Sequence, residues 1–155
     1  NKELGGGALL DCGGYTIKLA SKLLGETAKI LYSQLSYTPD FNVDIFGNAA
    51  FGNEEGMVAQ ISFGMDNDYK CDLEVWGSKG SIYTGRIFTA PAGFEPELQI
   101  KKNNEIIKEK LPADDTFVKS IEKFYKCIED NGERLANYEE LLRQAKFVDE
   151  IKGGN

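Results

Sequence analysis

The chain has 155 residues, 41% hydrophobic and 28% charged, enough for one soluble globular domain with its own core. Its formal net charge is −7, which argues against a nucleic-acid-binding surface or a polybasic membrane anchor, since both need clustered cations. No apolar run approaches the roughly 20 residues that a membrane span requires. The first predicted element is a glycine turn, one helix and a glycine stop, Gly5 to Gly25 (GGGALLDCGGYTIKLASKLLG). Gly5, Gly6 and Gly7 leave the entering backbone free to adopt positive φ at the positive end of the helix dipole. Gly25 is placed to close the helix in the left-handed region. Leu10, Ile17, Ala20 and Leu24 form its apolar stripe, with Leu9, Leu19 and Leu23 beside it.

This helix carries the one constellation that looks like chemistry. Asp11 and Tyr15 are four residues apart and Lys18 is three further on, so all three fall on one helical face. A carboxylate, a phenol and an ammonium on one stripe can move a proton or orient a hydroxyl-bearing ligand; the plain alternative is three solvated surface residues. Gly13 and Gly14 sit inside the same helix, where each costs about 0.5–1 kcal/mol relative to alanine. Their presence implies that something approaches the backbone closely, either a ligand or a strand or helix packed tightly below.

Strands follow. Ala28 to Tyr37 alternates, with Ile30, Tyr32 and Gln34 on one face and Leu31, Ser33 and Leu35 on the other. Val43 to Phe51 and Met57 to Met65 flank the polar turn Gly52–Gly56 as an antiparallel hairpin. Asp66, Asn67 and Asp68 read as a turn, because the longer ligand series of a calcium loop is not there. Lys70 to Trp76 and a strand opening at Ser81 flank the turn Gly77–Gly80. Thr89 to Pro96 is a loop suited equally to a lid, a dimer contact or a connection. Glu97–Lys102 and Glu105–Lys110 flank Asn103 and Asn104, which tolerate the positive φ of a two-residue hairpin.

The period then changes from 2 to 3.6. Asp114 or Asp115 caps a helix through Asn131 with Phe117, Ile121, Phe124, Tyr125 and Ile128 as its buried stripe, and Gly132 ends it. Asn137 with Glu140 starts a last helix that carries Leu141, Leu142, Ala145, Val148 and Ile151. One helix, six or seven strands and two helices predict an α+β fold: an open, mostly antiparallel β-sheet with the helices packed on one face. Phe63, Trp76, Tyr83, Phe88 and the other tyrosines supply aromatic material for a contact on the other face, though the pattern does not assign each of them to a face.

Side-chain inventory removes several mechanisms. Histidine is absent, which excludes Ser–His–Asp and Cys–His catalysis and most histidine-based metal sites. Cys12, Cys71 and Cys127 are widely spaced, so neither a disulfide framework nor a zinc site is expected, and a reducing cytoplasm fits. Cys12 lies near a helix N-terminus, where a thiolate would be stabilised, but no base accompanies it. No GxGxxG follows a strand, so the chain has no dinucleotide fingerprint.

The run GGGALLDCGGY and the apolar helix after it resemble the start of the C-terminal domain of the Gfo/Idh/MocA family of NAD(P)-dependent sugar and polyol oxidoreductases. The segment Leu-Glu-Val-Trp-Gly-Ser-Lys-Gly-Ser is similar to that family's strand–Gly–x–x–Gly–strand unit. The helix with Asp–x–Phe and the final amphipathic helix match its closing elements. The resemblance implies that Tyr15 is the acid/base toward a substrate hydroxyl or carbonyl and that Asp11 orients the substrate or its partner group. Lys18, Gly13 and Gly14 would line the substrate.

It also implies a single domain over 1–155, the C-terminal half of a longer enzyme whose N-terminal Rossmann domain binds NAD or NADP and supplies a lysine. The chain alone is then expected to bind no cofactor and to be inactive. A free phenol ionises near pH 10, so acid/base work near neutrality calls for a cation beside it, Lys18 or the lysine of the other domain. Many family members carry histidine at the Tyr15 position and an acid where Lys18 stands. A phosphate- or carboxylate-bearing sugar, including a nucleotide-linked one, would suit that lysine. The family further implies a homodimer or tetramer through the open sheet face. The rival expectation is a non-catalytic assembly or protein-interaction module on the same fold.

Overall fold

A computed structural model describes residues 2–154. In chain order they form a short 3-10 turn, Lys2–Leu4; a π-helical turn, Leu9–Gly13; α1, Gly14–Leu24; β1, Lys29–Tyr37; β2, Asp44–Gly52; β3, Val58–Gly64; β4, Asp72–Gly77; β5, Gly80–Gly85; β6, Glu97–Lys102; β7, Glu105–Lys110; α2, Thr116–Glu129; and α3, Asn131–Gly153. The class is α+β with antiparallel strands, as expected. The strands divide into a three-stranded sheet, β1-β2-β3, and a four-stranded meander, β4-β5-β6-β7. The polar stretch after Gly64 separates β3 from β4, and these two strands do not pair. The described residues form two compact units, residues 2–67 with 135–154, and residues 68–134.

The first unit holds the main core. Ile17, Ala20 and Leu24 of α1 and Phe147 and Ile151 of α3 pack with Ala49, Phe51 and Phe63 of the sheet. Phe147 meets Phe51 edge-on, with ring centroids 5.4 Å apart, a favoured aromatic geometry. On β3, Ala59, Ile61 and Phe63 face this core and Val58, Gln60 and Ser62 face away, as the alternation requires. On β1 the alternation breaks. Ile30 pairs with Phe51 and Tyr32 with Ala50, so Leu31 is an extra residue in a β-bulge. The bulge turns both Ile30 and Leu35 to the core and leaves Leu31 exposed, which the two-residue period assigned otherwise.

Phe63, one of the aromatics available from sequence for a contact on the other face, is buried in this core instead. It pairs across the ladder with Gly47. A methyl group on Gly47 would lie 2.7 Å from both the Phe63 ring and Leu35. Asn53 is buried at the β2–β3 turn, where its amide donates to the Leu24 carbonyl at 2.9 Å and its oxygen accepts from the Met57 N–H at 2.9 Å. One side chain thereby satisfies both the C-terminal end of α1 and the hairpin turn.

In the second unit the β6–β7 hairpin turns at Asn103 and Asn104, with φ of 51° and 66°, the mirror-image turn its sequence calls for. Lys108 and Glu97 pair across these strands at 2.9 Å. The loop after β5 is tied down by Arg86, whose guanidinium lies 5.8 Å from the ring centroids of both Tyr69 and Phe94.

The closing helices differ from expectation in two ways. Asp115 caps α2, accepting from the Phe117 and Val118 N–H groups, but Gly132 does not stop a helix. It stands in the first turn of α3, where the Asp130 carboxylate accepts from the Gly132 and Glu133 N–H groups at 2.7 and 3.2 Å. A capping carboxylate stabilises that start, so α3 begins at Asn131, six residues before Asn137.

The stripe expected to be buried on α2 is exposed at Phe117 (81%), Ile121, Phe124, Tyr125 and Ile128. Periodicity identifies an apolar face; it does not say what covers it. On α3 the buried side chains are Phe147 and Ile151, with Val148 packed against them. Leu141, Leu142 and Ala145 are exposed.

Candidate functional site

The segment that bears Asp11 and Tyr15 is anchored by a strand. Gly5 and Gly7 take φ of 72° and 122°, so the chain turns sharply into the helix. The buried Asp44, first residue of β2, closes on this turn. Its Oδ2 accepts from the Leu9 N–H at 2.6 Å, and its Oδ1 occupies the place that a side chain on residue 7 would need. A carboxylate at the start of a helix satisfies an otherwise orphaned N–H and meets the positive end of the dipole. Asp44 is out of reach of local sequence reasoning, because it lies 35 residues from the group that it caps.

The first helical turn is π, with the Gly14 N–H reaching back to the Leu9 carbonyl. Such wider turns cluster at functional sites. This turn realigns the buried face so that Leu9, Gly13 and Ile17 point inward, while Leu10 of the expected stripe is exposed.

Gly13 is buried, and a methyl group there would lie 3.2 Å from the Phe63 ring. The close approach implied by the glycine pair is therefore made at Gly13 by this unit's own strand. At Gly14 the neighbour is Gln144 of α3, whose Nε2 donates to the Gly14 carbonyl at 3.0 Å. Thr16 Oγ1 returns a bond to the Gly13 carbonyl at 2.8 Å.

Asp11 and Tyr15 are both exposed, Tyr15 at 58%, and Lys18 is half-buried. Neither the carboxylate nor the phenol is sealed beneath the sheet. Cys12 is the small core filler that its lack of an accompanying base favours over a nucleophile: burial, followed by the adjacent Asp11 carboxylate, pushes its thiol pKa up. Its Sγ donates to the Ala8 carbonyl at 3.2 Å. It packs against the core and is held protonated, which removes a nucleophilic role.

Further along α1 a recess of about 10 Å³ opens against α3. It is lined by Lys18, Ser21 and Lys22 from α1 and Glu140, Arg143 and Gln144 from α3. Arg143 and Gln144 carry no spacing signal that sequence reasoning could have used, since the packing of α3 on α1 brings them here. Among the described residues no group of three or more His, Cys, Asp and Glu side chains is arranged to hold a metal ion, and no helix is long and apolar enough to cross a membrane.

Residues 1–83 match the family model described as the GFO/IDH/MocA C-terminal domain. Four curated relatives carry the name dTDP-3,4-didehydro-2,6-dideoxy-alpha-D-glucose 3-reductase, two of them as follows. The protein from Actinomadura kijaniata is 36% identical over 98% of this chain, and that from Streptomyces violaceoruber 33% identical over 97%. The match takes up 46% of each relative, so this chain spans about half of their length. Among solved structures, KijD10 in its open conformation, a 3-ketoreductase from Actinomadura kijaniata in complex with TDP-benzene and NADP, superposes with a TM-score of 0.90. That match is 36% identical and covers 96% of this chain and 47% of KijD10.

Proposed function

The chain belongs to the Gfo/Idh/MocA family, and on that premise we propose that it is the substrate-binding half of an NADP-dependent oxidoreductase acting on a nucleotide-linked sugar. The observation that carries this reading is the exposed Asp11–Tyr15 pair on a helix indexed to the sheet by Asp44. The similarity to two dTDP-sugar 3-reductases and to a ketoreductase solved with TDP-benzene and NADP supports the substrate and cofactor class.

Tyr15 gives the proton to the carbonyl oxygen in reduction and takes it from the hydroxyl in oxidation. Asp11 orients the substrate or its partner group. A nicotinamide cofactor, held mainly outside this chain, would supply the hydride in reduction and accept it in oxidation. The test is NADPH oxidation by the two-domain enzyme with a dTDP-linked keto sugar beside the same sugar without its nucleotide. The linked substrate is expected to be consumed at saturating cofactor. Absence of turnover with keto sugars of either kind would sink the proposal.

The same reading makes the complete enzyme a homodimer or tetramer through exposed sheet surfaces. Leu31, Phe46 and Val58 on the three-stranded sheet and Trp76, Ile106 and Ile107 on the four-stranded one are exposed apolar residues suited to such contacts. A monomeric mass for the complete enzyme in solution would remove that part. The cysteines Cys12, Cys71 and Cys127 are all free, which supports a cytoplasmic setting.

A further inference from the structure

We propose that the exposed apolar face of α2 is the seat of the cofactor-binding half of the complete enzyme; this names a partner within the reading above and rests on it. Cys127 is the only buried residue among the 14 of α2. A helix of that length is marginal in water without tertiary packing. Both of its ends are nonetheless held. Asp115 accepts from the Phe117 and Val118 N–H groups at 3.0 and 3.1 Å, and Arg134 Nη1 donates to the Cys127 carbonyl at 3.1 Å. On the polar side Lys119 pairs with Asp114 and Lys123 with Glu133, so these charges are satisfied within the unit. What lacks a cover is the apolar side. Phe117, Phe124 and Tyr125 are each at least 60% exposed, and Val118, Ile121 and Ile128 at least 50%.

The shape of this face points to its occupant. At about 100° per residue the six side chains span about 120° of the helix surface. That is the broad band of a helix packed on a globular surface; a helix in a coiled coil shows a narrower seam. The width argues against a second α2 lying alongside the first. With an aromatic side chain presenting about 200 Å² and Ile and Val somewhat less, the exposed fractions come to about 700 Å². Two separate chains in a standard complex bury about 800 Å² each. A covalent link lowers that need, because it holds the partner at about millimolar effective concentration. Interfaces between domains of one chain fall in this size range. This chain takes up 46% of each reductase that it matches. The remainder of such a chain is a partner of the right kind, tethered and large enough to cover six side chains.

Amide hydrogen exchange is measured on this chain as it stands and on the two-domain enzyme, at equal low concentration and without cofactor or substrate. The amides of Thr116–Glu129 are expected to exchange at least about 100-fold more slowly in the two-domain enzyme, because opening then requires the cover to leave. The β2–β3 ladder, part of the core in both, serves as the reference. Phe124→Ser in the two-domain enzyme should lose most of that protection, whereas Lys126→Ser, on the opposite side of the helix, should keep it.

Equal exchange of α2 in the two proteins overturns the proposal. So does protection that rises with concentration in this chain alone, which would assign the face to a second copy. Unchanged protection in Phe124→Ser overturns the assignment to the apolar side. None of these readouts involves turnover, so their failure leaves the assignment of Tyr15 standing. Failure of the keto-sugar assay, conversely, leaves a measured contact between the two halves in place.

Discussion

Tyr15→Phe in the two-domain enzyme is expected to lower kcat by about 10²–10⁴-fold, the range of a single general acid/base group. The substitution removes one oxygen and keeps the ring, so contacts made by the ring face survive and KM should change little. A proton donor acts on the transition state and leaves ground-state binding nearly alone, so the loss appears equally in kcat and kcat/KM. Tyr15 is 58% exposed, and its replacement should move stability by less than about 0.5 kcal/mol. Asp11→Asn keeps the shape and loses the charge; it is expected to fall in the same direction by a smaller factor. Stopped-flow measurement of NADPH oxidation, with urea denaturation as the stability control, reads both. Full turnover in both variants at unchanged stability would leave the domain as an assembly module.

Asp44→Ala is expected to destabilise the first unit by about 2–4 kcal/mol. The Leu9 N–H then loses its 2.6 Å acceptor in a buried position, and a bond to a charged group is worth about 1.5–3 kcal/mol. Loss of a carboxylate from the positive end of the helix adds about 0.3–1 kcal/mol. Asp44→Asn retains an acceptor and should cost less, so the two variants separate the hydrogen bond from the charge. Urea unfolding of the chain checks this. Two values within about 0.5 kcal/mol of wild type would show that the helix start is held by something other than this carboxylate.

Short-range features were legible in the amino-acid order. The Asn103–Asn104 hairpin, the Asp115 cap, the Gly25 stop and the antiparallel pairing of β2 with β3 each depend on residues within a few positions of one another. Features that depend on distant partners were not. Asp44 caps a helix 35 residues away. Gln144 and Arg143 come to α1 only through the packing of α3. The bulge at Leu31 flips a strand face without changing composition. The α2 stripe is apolar, as its period requires, but it is exposed, because a period carries no information about what covers a face. The stripe of Asp11, Tyr15 and Lys18 could be read because it belongs to one helix, while its neighbours across the recess could not.

The Phe63 ring contacts both Gly13 of the π turn and Gly47 of β2, so it acts as a shim between helix and sheet. The height at which α1 rides is set by the girth of that ring. Swapping it for a thinner or bulkier group would lower or raise the rod that bears Tyr15. Reach toward a sugar could thus be tuned from beneath, with no change to any residue that meets the ligand.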